Sequence, residues 1–544
     1  MVSVDDRSGL TRRTLLGAGA TVAAGLALAG CGSDNQGAGG TTTPAGSDGQ
    51  PAGGGSPAAS AAPKQGGTFR VAAKTFAEAT ACDPHQANTS YSINNACFDA
   101  LVESDHDNKW RMAMAEKFEM ENNDPTQWLI KLKAGMKWHD GKPVTADDVI
   151  FTINRIMDPK APLAAATMMK AIDLKGITKV DDLTVRLKLK SPDCLMLQSF
   201  SQSFSCLVPV GFDPAKPVGS GPFTFESFTP KQRWVGNRFA DYWRGAGLPH
   251  LDRLELVGFA SPTAALNGLL AGQVDGLDKM LPAQLQQVKQ RPNLITTESQ
   301  TGSIMQVSMN CRKGAPFEDA RVRKAFKLML DRQQLINSVY AGHGKIGNDV
   351  GVFPEWDDAC DPALPEPQHD VEQAKTLLQQ AGKENMTVTL RVAELVTGMT
   401  AAAQVIQEQA KKIGVTVKLD VVADIATFYT DAYYGADLQI DWTDTIDMRA
   451  GCGYYWLTES DYNAGGYSNA EVDKLHAEAL ASTTPDGYKT AMRKLSTIIQ
   501  EDGPWLVWGR TTQIDAHTDK FTGVQQDAGG TGLNGCFWYE ISAV

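Results

Sequence analysis

Apolar and polar positions alternate at two periods along this chain, and the switches between them outline its elements. Trp128, Ile130 and Leu132 alternate with Leu129, Lys131 and Lys133, and Val185, Leu187 and Leu189 alternate with Arg186, Lys188 and Lys190. A period of two sends successive side chains to opposite faces, so both segments are expected as strands. Between them Val149, Ile153 and Ile156 recur at helical spacing behind Thr145 and Asp148, a capping-box-like start, until Pro159 ends the helix. Gly67 to Ala72 reads as a strand and Ser90 to Val102 as a helix; further strands are expected near Phe223–Phe225 and Leu254–Val257. A helix is expected from Ser261-Pro262, a cap with Pro in its first turn, to Gly272. One long helix is predicted from Asp319 to about Tyr340, and another from the Asp370 cap to Gly382. Ser468 and Glu471 suggest a capping box for a helix to about Ala481, followed by a last helix from Asp486 to about Gln500.

Residues 386–422 carry the clearest supersecondary signal. Val388, Leu390 and Val392 alternate, a helical pattern runs from about Met399 to Ile413 and stops at Gly414, and Val415, Val417, Leu419 and Val421 alternate again. Strand, helix, strand at this spacing predicts a parallel pair with a right-handed crossover. Ligands of such sheets sit beyond the carboxyl ends of the strands.

Length changes the picture, because 544 residues exceed what one core usually supports and so predict two or three lobes. Charge excludes some partners. The net charge is −12 and no long Lys/Arg run follows the N-terminal segment, so nucleic acid and anionic lipid surfaces are not expected ligands.

The N-terminus is organised differently from the rest. Arg12 and Arg13 precede an apolar run that is interrupted by Gly17, Gly19 and Gly25, as in a cleaved signal peptide over residues 1–30. Thr-Arg-Arg-Thr-Leu-Leu resembles a twin-arginine export signal, and Leu-Ala-Gly-Cys resembles the bacterial lipobox, which implies acylation of Cys31. Residues 32–65 contain no aromatic, Val, Ile, Leu or Met and read as a flexible linker. Together these imply a protein held by lipid on the outer face of the cell membrane.

Eight cysteines remain besides Cys31. An even number in an exported chain suggests disulfides, and Cys194 with Cys206, which close a short loop, are the best candidate pair. Motifs of catalysis are missing from the sequence: it has no GxxxxGK[ST] loop, GxSxG elbow, HExxH or calcium loop, and its eight histidines are scattered. No cofactor or metal is therefore expected, and His139 reads as a turn residue. An exported hydrolase of peptide or glycan is the competing class, and its mark would be turnover of what binds.

The stretch WLIKLKAGMKWHDGKPVTADDVIFTINRIMDP, residues 128–159, resembles the signature of the family 5 extracellular solute-binding proteins, the peptide and nickel-chelate receptors of ABC importers. ACDPH (81–85), GSGPF (219–223), LLAGQVDG (269–276), MNCRKGAPFEDARVRKAF (309–326) and DVEQAKTLLQQAG (370–382) follow the same family's order. The resemblance implies an α/β fold of the two-lobed periplasmic-binding-protein type (type II, cluster C-like), with an extra domain inserted in the N-terminal lobe. Lobe I would comprise 66–100, 218–302 and 510–544, the insertion 101–217, and lobe II 303–509. It also implies a monomer that is not an enzyme and that passes a small molecule, an oligopeptide foremost and an oligosaccharide otherwise, to ABC permease subunits.

The resemblance further implies site residues. In IDWTDTIDMRAGCGYYW (440–456), Asp444 and Asp447 match the acidic positions of which one holds the α-ammonium of a bound peptide, although Met448 stands where the family usually has Pro. Trp442, Tyr454, Tyr455 and Trp456 are candidates to enclose the ligand. Gly219, Ser220 and Gly221 match a loop near the crossover, and Asn310 matches a position that follows a strand into the second lobe.

Overall fold

The computed structural model describes residues 63–544 apart from Thr75, Gln202 and Asp424. The expected signal peptide, Cys31 and nearly all of the linker lie outside the described residues. Among those residues, no helix is long and apolar enough to cross a membrane.

An 11-stranded sheet runs through the molecule. In chain order its strands are β1 (Thr68–Ala72), β2 (Phe223–Thr229), β3 (Arg233–Arg238), β4 (Arg253–Val257), β5 (Gly276–Leu277) and β6 (Leu294–Met309), then β7 (Gly344–Ile346), β8 (Thr387–Val392), β9 (Thr416–Val421), β10 (Leu438–Thr443) and β11 (Trp505–Thr518). In space the order is β9-β8-β10-β6-β11-β5-β1-β4-β3-β2, with β7 on β11. The predicted pair forms as expected, since β8 and β9 run parallel from Thr387↔Thr416 to Val392↔Val421, with the helix Met399–Lys411 between them.

The long strands β6 and β11 pair antiparallel and carry the sheet from one half to the other. Their register breaks between Gln300 and Ile304, so the ladder is interrupted at residues 301–303. A bulge of this kind bends a strand and re-aims what is attached to it.

A separate four-stranded antiparallel sheet places Ala115–Met120, Gln127–Leu132, Thr184–Lys188 and Thr178–Asp181 side by side. It holds both strands predicted from alternation, and their apolar faces pack with Val149, Ile153 and Ile156 of the helix Ala146–Ile156. The Asp148 carboxylate accepts from Thr145 N at 2.8 Å, closing the expected capping box. The largest clusters are drawn from different parts of the chain: one from residues 101–207, one from 69–98, 206–256 and 521–541, and one from 305–508.

Some boundaries differ from the sequence reading. The expected helix from Asp319 to Tyr340 is two, Ala320–Met329 and Arg332–Val339, because Asp331 turns its carboxylate to Gln334 N and starts a new helix. Asp favours such caps over helix interiors. The helix expected from Ser90 ends at Cys97 rather than Val102. The cap of helix Ala470–Leu480 is Asn469 rather than Ser468, whose hydroxyl instead shares a hydrogen with Thr458.

Candidate functional site

β8, β9 and β10 are parallel, so their carboxyl ends share one edge, and Asp444 follows directly on the end of β10. The segment Asp444–Asp447 is tethered at the bulge of the long strands. Gly302 N donates to Thr445 Oγ1 at 2.9 Å, and Thr445 Oγ1 donates to Ala528 O at 3.2 Å. Asp447 then caps the short helix Met448–Gly451 by accepting from Ala450 N at 2.7 Å.

This segment forms one wall of a cavity of about 200 Å³. Tyr91, Asn95 and Phe98, from the helix Tyr91–Cys97 and the residue after it, form a second wall, and Asp527, Phe537 and Tyr539 from the C-terminal segment a third. Carboxyl groups dominate the lining: Asp99, Glu103, Asp105, Asp444, Asp447 and Asp527 face a single guanidinium, Arg244.

Arg244 is already engaged. It donates to Glu103 at 2.5 and 2.8 Å and to Asp99 at 3.4 Å, and its guanidinium lies 4.4 Å from the Trp243 ring centroid and 4.9 Å from that of Tyr539. Asp527 stands beside His106, whose Nε2 is 2.8 Å from Glu540. Burial opposes the charge on this imidazole, yet Asp527 and Glu540 overcome it and raise its pKa to about 9. Asp444 differs from all of these: its half-buried carboxylate forms no hydrogen bond or ion pair among the described residues.

Burial pushes the Asp447 carboxyl up to about 6, and the neighbouring Asp357 carboxylate adds to the effect, while the Ala450 N–H and the Arg449 charge pull the other way. Asp357 is itself raised by burial and accepts from Met448 N at 2.7 Å. Asp357, outside the cavity lining, thus stands behind Asp447, which lines it. A cation placed there relieves both desolvation and repulsion.

The structure brings Asp444, Asp447 and Tyr454 together on the cavity and leaves the other candidates elsewhere. Trp456 is fully buried in core packing, its ring 5.5 Å from that of Trp505, which corrects the reading of it as a cleft aromatic. The Tyr455 ring lies 4.8 Å from Trp505, and Trp442 packs on the cluster behind β10. Asn310 is buried and donates to Ala436 O at 3.2 Å, a structural tie outside the cavity.

Gly219, Ser220 and Gly221 also lie outside the lining, and their glycines admit protein backbone rather than ligand. A Cβ on Gly219 would stand 1.8 Å from Cys97 O, and one on Gly221 2.6 Å from the Cys97 carbonyl carbon. His139 pins this loop: Gly219 N donates to its Nδ1 at 3.2 Å, and its Nε2 donates to Gly221 O at 2.9 Å. Gly219→Ala is therefore expected to destabilise the fold by about 1–3 kcal/mol or more, from overpacking against rigid backbone. Urea unfolding would measure it, and a loss below about 0.5 kcal/mol would contradict this packing.

The expected Cys194–Cys206 disulfide does not form. Each thiol donates to a different carbonyl, Cys194 to Ala479 O at 3.3 Å and Cys206 to Ser203 O at 3.2 Å. The residues between them are folded into short turns of helix that point the two side chains at different neighbours. Burial pushes the Cys194 thiol up to about 12 and Cys206 higher still, so both remain thiols.

Asp99, Glu103, Arg244, Asp527 and Tyr91 were not expected at the site. The density of acids from Asp99 to Asp107 was the available signal, but only the fold brings that stretch opposite Asp444.

A large α/β sheet spanned by two long strands, with a cleft beyond the carboxyl ends of parallel strands, defines the two-lobed periplasmic-binding-protein class. Solved structures agree on the fold. AppA from Clostridium difficile, described as a putative peptide-binding protein, superposes with a TM-score of 0.76 at 21% identity, over 88% of this chain and 100% of that one. AgaA from A. tumefaciens R10, solved with agropinic acid, gives 0.74 at 24%, over 88% and 99%.

The chain belongs to the bacterial extracellular solute-binding proteins, family 5, whose model for the middle region matches residues 109–464. Similar relatives include the glutathione-binding protein GsiB of Pectobacterium atrosepticum, 25% identical over 82% of this chain and 89% of that protein. The oligopeptide-binding protein AppA of Bacillus subtilis is 26% identical over 81% and 86%. The chain is thus a substrate-binding protein of the ABC-importer type.

Proposed function

We propose that this protein captures a small solute carrying a protonated amine, an oligopeptide foremost, and delivers it to an ABC permease. The observation that carries this reading is the unpartnered Asp444 carboxylate in a cavity whose other carboxyl groups outnumber its one cation. A half-buried carboxylate gives an ammonium a charge-assisted hydrogen bond roughly twice as strong as a neutral one. The relatives' names, glutathione-binding and oligopeptide-binding, support a peptide-like ligand. The same charge excess disfavours the oligosaccharide alternative, because a neutral sugar leaves the carboxylates uncompensated. We adopt the division into lobe I (66–100, 218–302, 510–544), insertion (101–217) and lobe II (303–509), with a monomer closing on its ligand.

Mass spectrometry of small molecules released from the purified protein tests the reading. An intact, amine-bearing solute is expected; a sugar, or a cleaved product generated from the bound solute, would overturn it.

We also propose that the chain is exported by the twin-arginine route and anchored through acylated Cys31. Cys31→Ser is then expected to move the protein from the membrane fraction to the soluble one, read by fractionation.

Binding should depend on pH through Asp447. Its folded pKa is raised from 3.8 to about 6, so the free folded protein holds this proton more tightly than the unfolded chain. Ionising it between pH 4 and 6 costs stability, and a bound cation restores what ionisation costs. Asp357, Arg449, Tyr488 and Cys452 surround it. Affinity for an amine ligand is expected to fall about three- to tenfold from pH 7 to pH 5, while the α-amine stays protonated throughout. Calorimetric titration across that range reads the slope, and a flat profile would remove Asp447 from the account.

A further inference from the structure

The turn Met448–Gly451 and the residues after it have two lined faces. Asp447, Ala450 and Tyr454 border the carboxylate-rich cleft, whereas Arg449 and Gly453 border a second cavity of about 310 Å³. Its other walls are Thr167, Met168, Lys170, Ala171 and Ser191–Asp193 on one side and His476, Ala477 and Leu480 of the helix Ala470–Leu480 on the other.

We propose that this second cavity is a distinct binding site for a small organic anion, a carboxylate on a short apolar body. Its charge is the opposite of the first cavity's. Lys170 and Arg449 outnumber Asp193, and Asp193 is already consumed by the Arg449 guanidinium and by Leu195 N at 3.0 Å. Arg449 is about 5% exposed; its Nε and Nη2 reach Asp193, Ser199 and Met168 O, but its buried Nη1 donates to none of the described residues.

His476 lines the same space with no hydrogen-bond partner for its ring among the described residues. Burial, and then the Arg449 charge, lower its pKa to about 4, so at neutral pH it is an uncharged imidazole with one N–H to donate. The Lys170 ammonium at the mouth supplies charge, and the Thr167 and Ser191 hydroxyls supply further donors. Met168, Ala171, Pro192, Ala477 and Leu480 offer apolar surface to the rest of the molecule. Such a mix, mostly apolar with a few converging polar groups, is that of a small-molecule pocket. An amine would find no free carboxylate there.

Calorimetry on the full-length protein with hexanoate, hexylamine and hexanol as probes tests this. Hexanoate is expected to bind at least about tenfold more tightly than hexanol, and than hexylamine once Asp444→Asn has removed the amine site of the first cavity. Lys170→Glu, at an exposed side chain, should weaken hexanoate about tenfold or more without moving the melting temperature. Ala477→Trp should block it by filling the cavity, while Asp444→Asn should leave it unchanged. No hexanoate binding, equal binding of hexylamine to the Asp444→Asn protein, or hexanoate affinity indifferent to Lys170→Glu would overturn the proposal. A change of hexanoate affinity in Asp444→Asn, in either direction, would assign it to the first cavity and overturn it equally.

Discussion

Asp444→Asn is expected to lower affinity for an amine-bearing ligand by about 30-fold, near 2 kcal/mol, the low end of what losing one partner of a hydrogen-bonded charge pair costs. The substitution keeps the shape of the side chain and removes only its charge. Because Asp444 forms no hydrogen bond or ion pair among the described residues, stability should stay within about 0.5 kcal/mol of the parent. The same change should alter a neutral ligand's affinity only modestly. Parallel calorimetry and urea unfolding separate these effects. Equal losses of affinity and stability would make Asp444 a structural residue instead.

A second large effect is expected at Asp193→Ala. Asp193 and Arg449 form an ion pair in which both side chains are almost fully buried, and it joins the segment after the four-stranded sheet to the helix capped by Asp447. Removing the carboxylate strands the guanidinium in a low-dielectric interior, at a cost of about 3–5 kcal/mol. Replacing both partners with apolar residues, as in Asp193→Leu with Arg449→Met, should recover most of that loss, because the pair's attraction is offset by its own desolvation. Thermal or urea unfolding of the two variants reads the difference. Ligand affinity should suffer in the double variant, since Arg449 helps keep Asp447 charged.

Local rules were legible in the sequence where one element satisfied them by itself. Alternation located β8, β9 and the strands around Trp128 and Val185, and Asp148 closed its capping box. The break at Asp331 was harder to read, because the apolar period continues through it and only the carboxylate's choice of a new partner divides the helix. The site was half legible. Asp444 and Asp447 sit in one short segment that a resemblance could point to, whereas Asp99, Glu103, Arg244 and Asp527 come from three distant stretches. The aromatic run misled for a physical reason: Tyr454, Tyr455 and Trp456 lie in one helical turn, so their side chains fan out, and only Tyr454 meets the cavity. Gly219 and Gly221 show the same ambiguity, since close approach by backbone and close approach by ligand both call for glycine.

Recognition of a protonated amine by Asp444 inside the cleft is read by isothermal titration of a short peptide against its N-acetylated twin. Once a binding di- to pentapeptide is found by thermal-shift screening, its acetylation is expected to weaken binding by about 30-fold or more. Asp444→Asn should erase the difference between the two. Equal binding of the acetylated and free peptides to the parent protein would rule out recognition of the amine by Asp444.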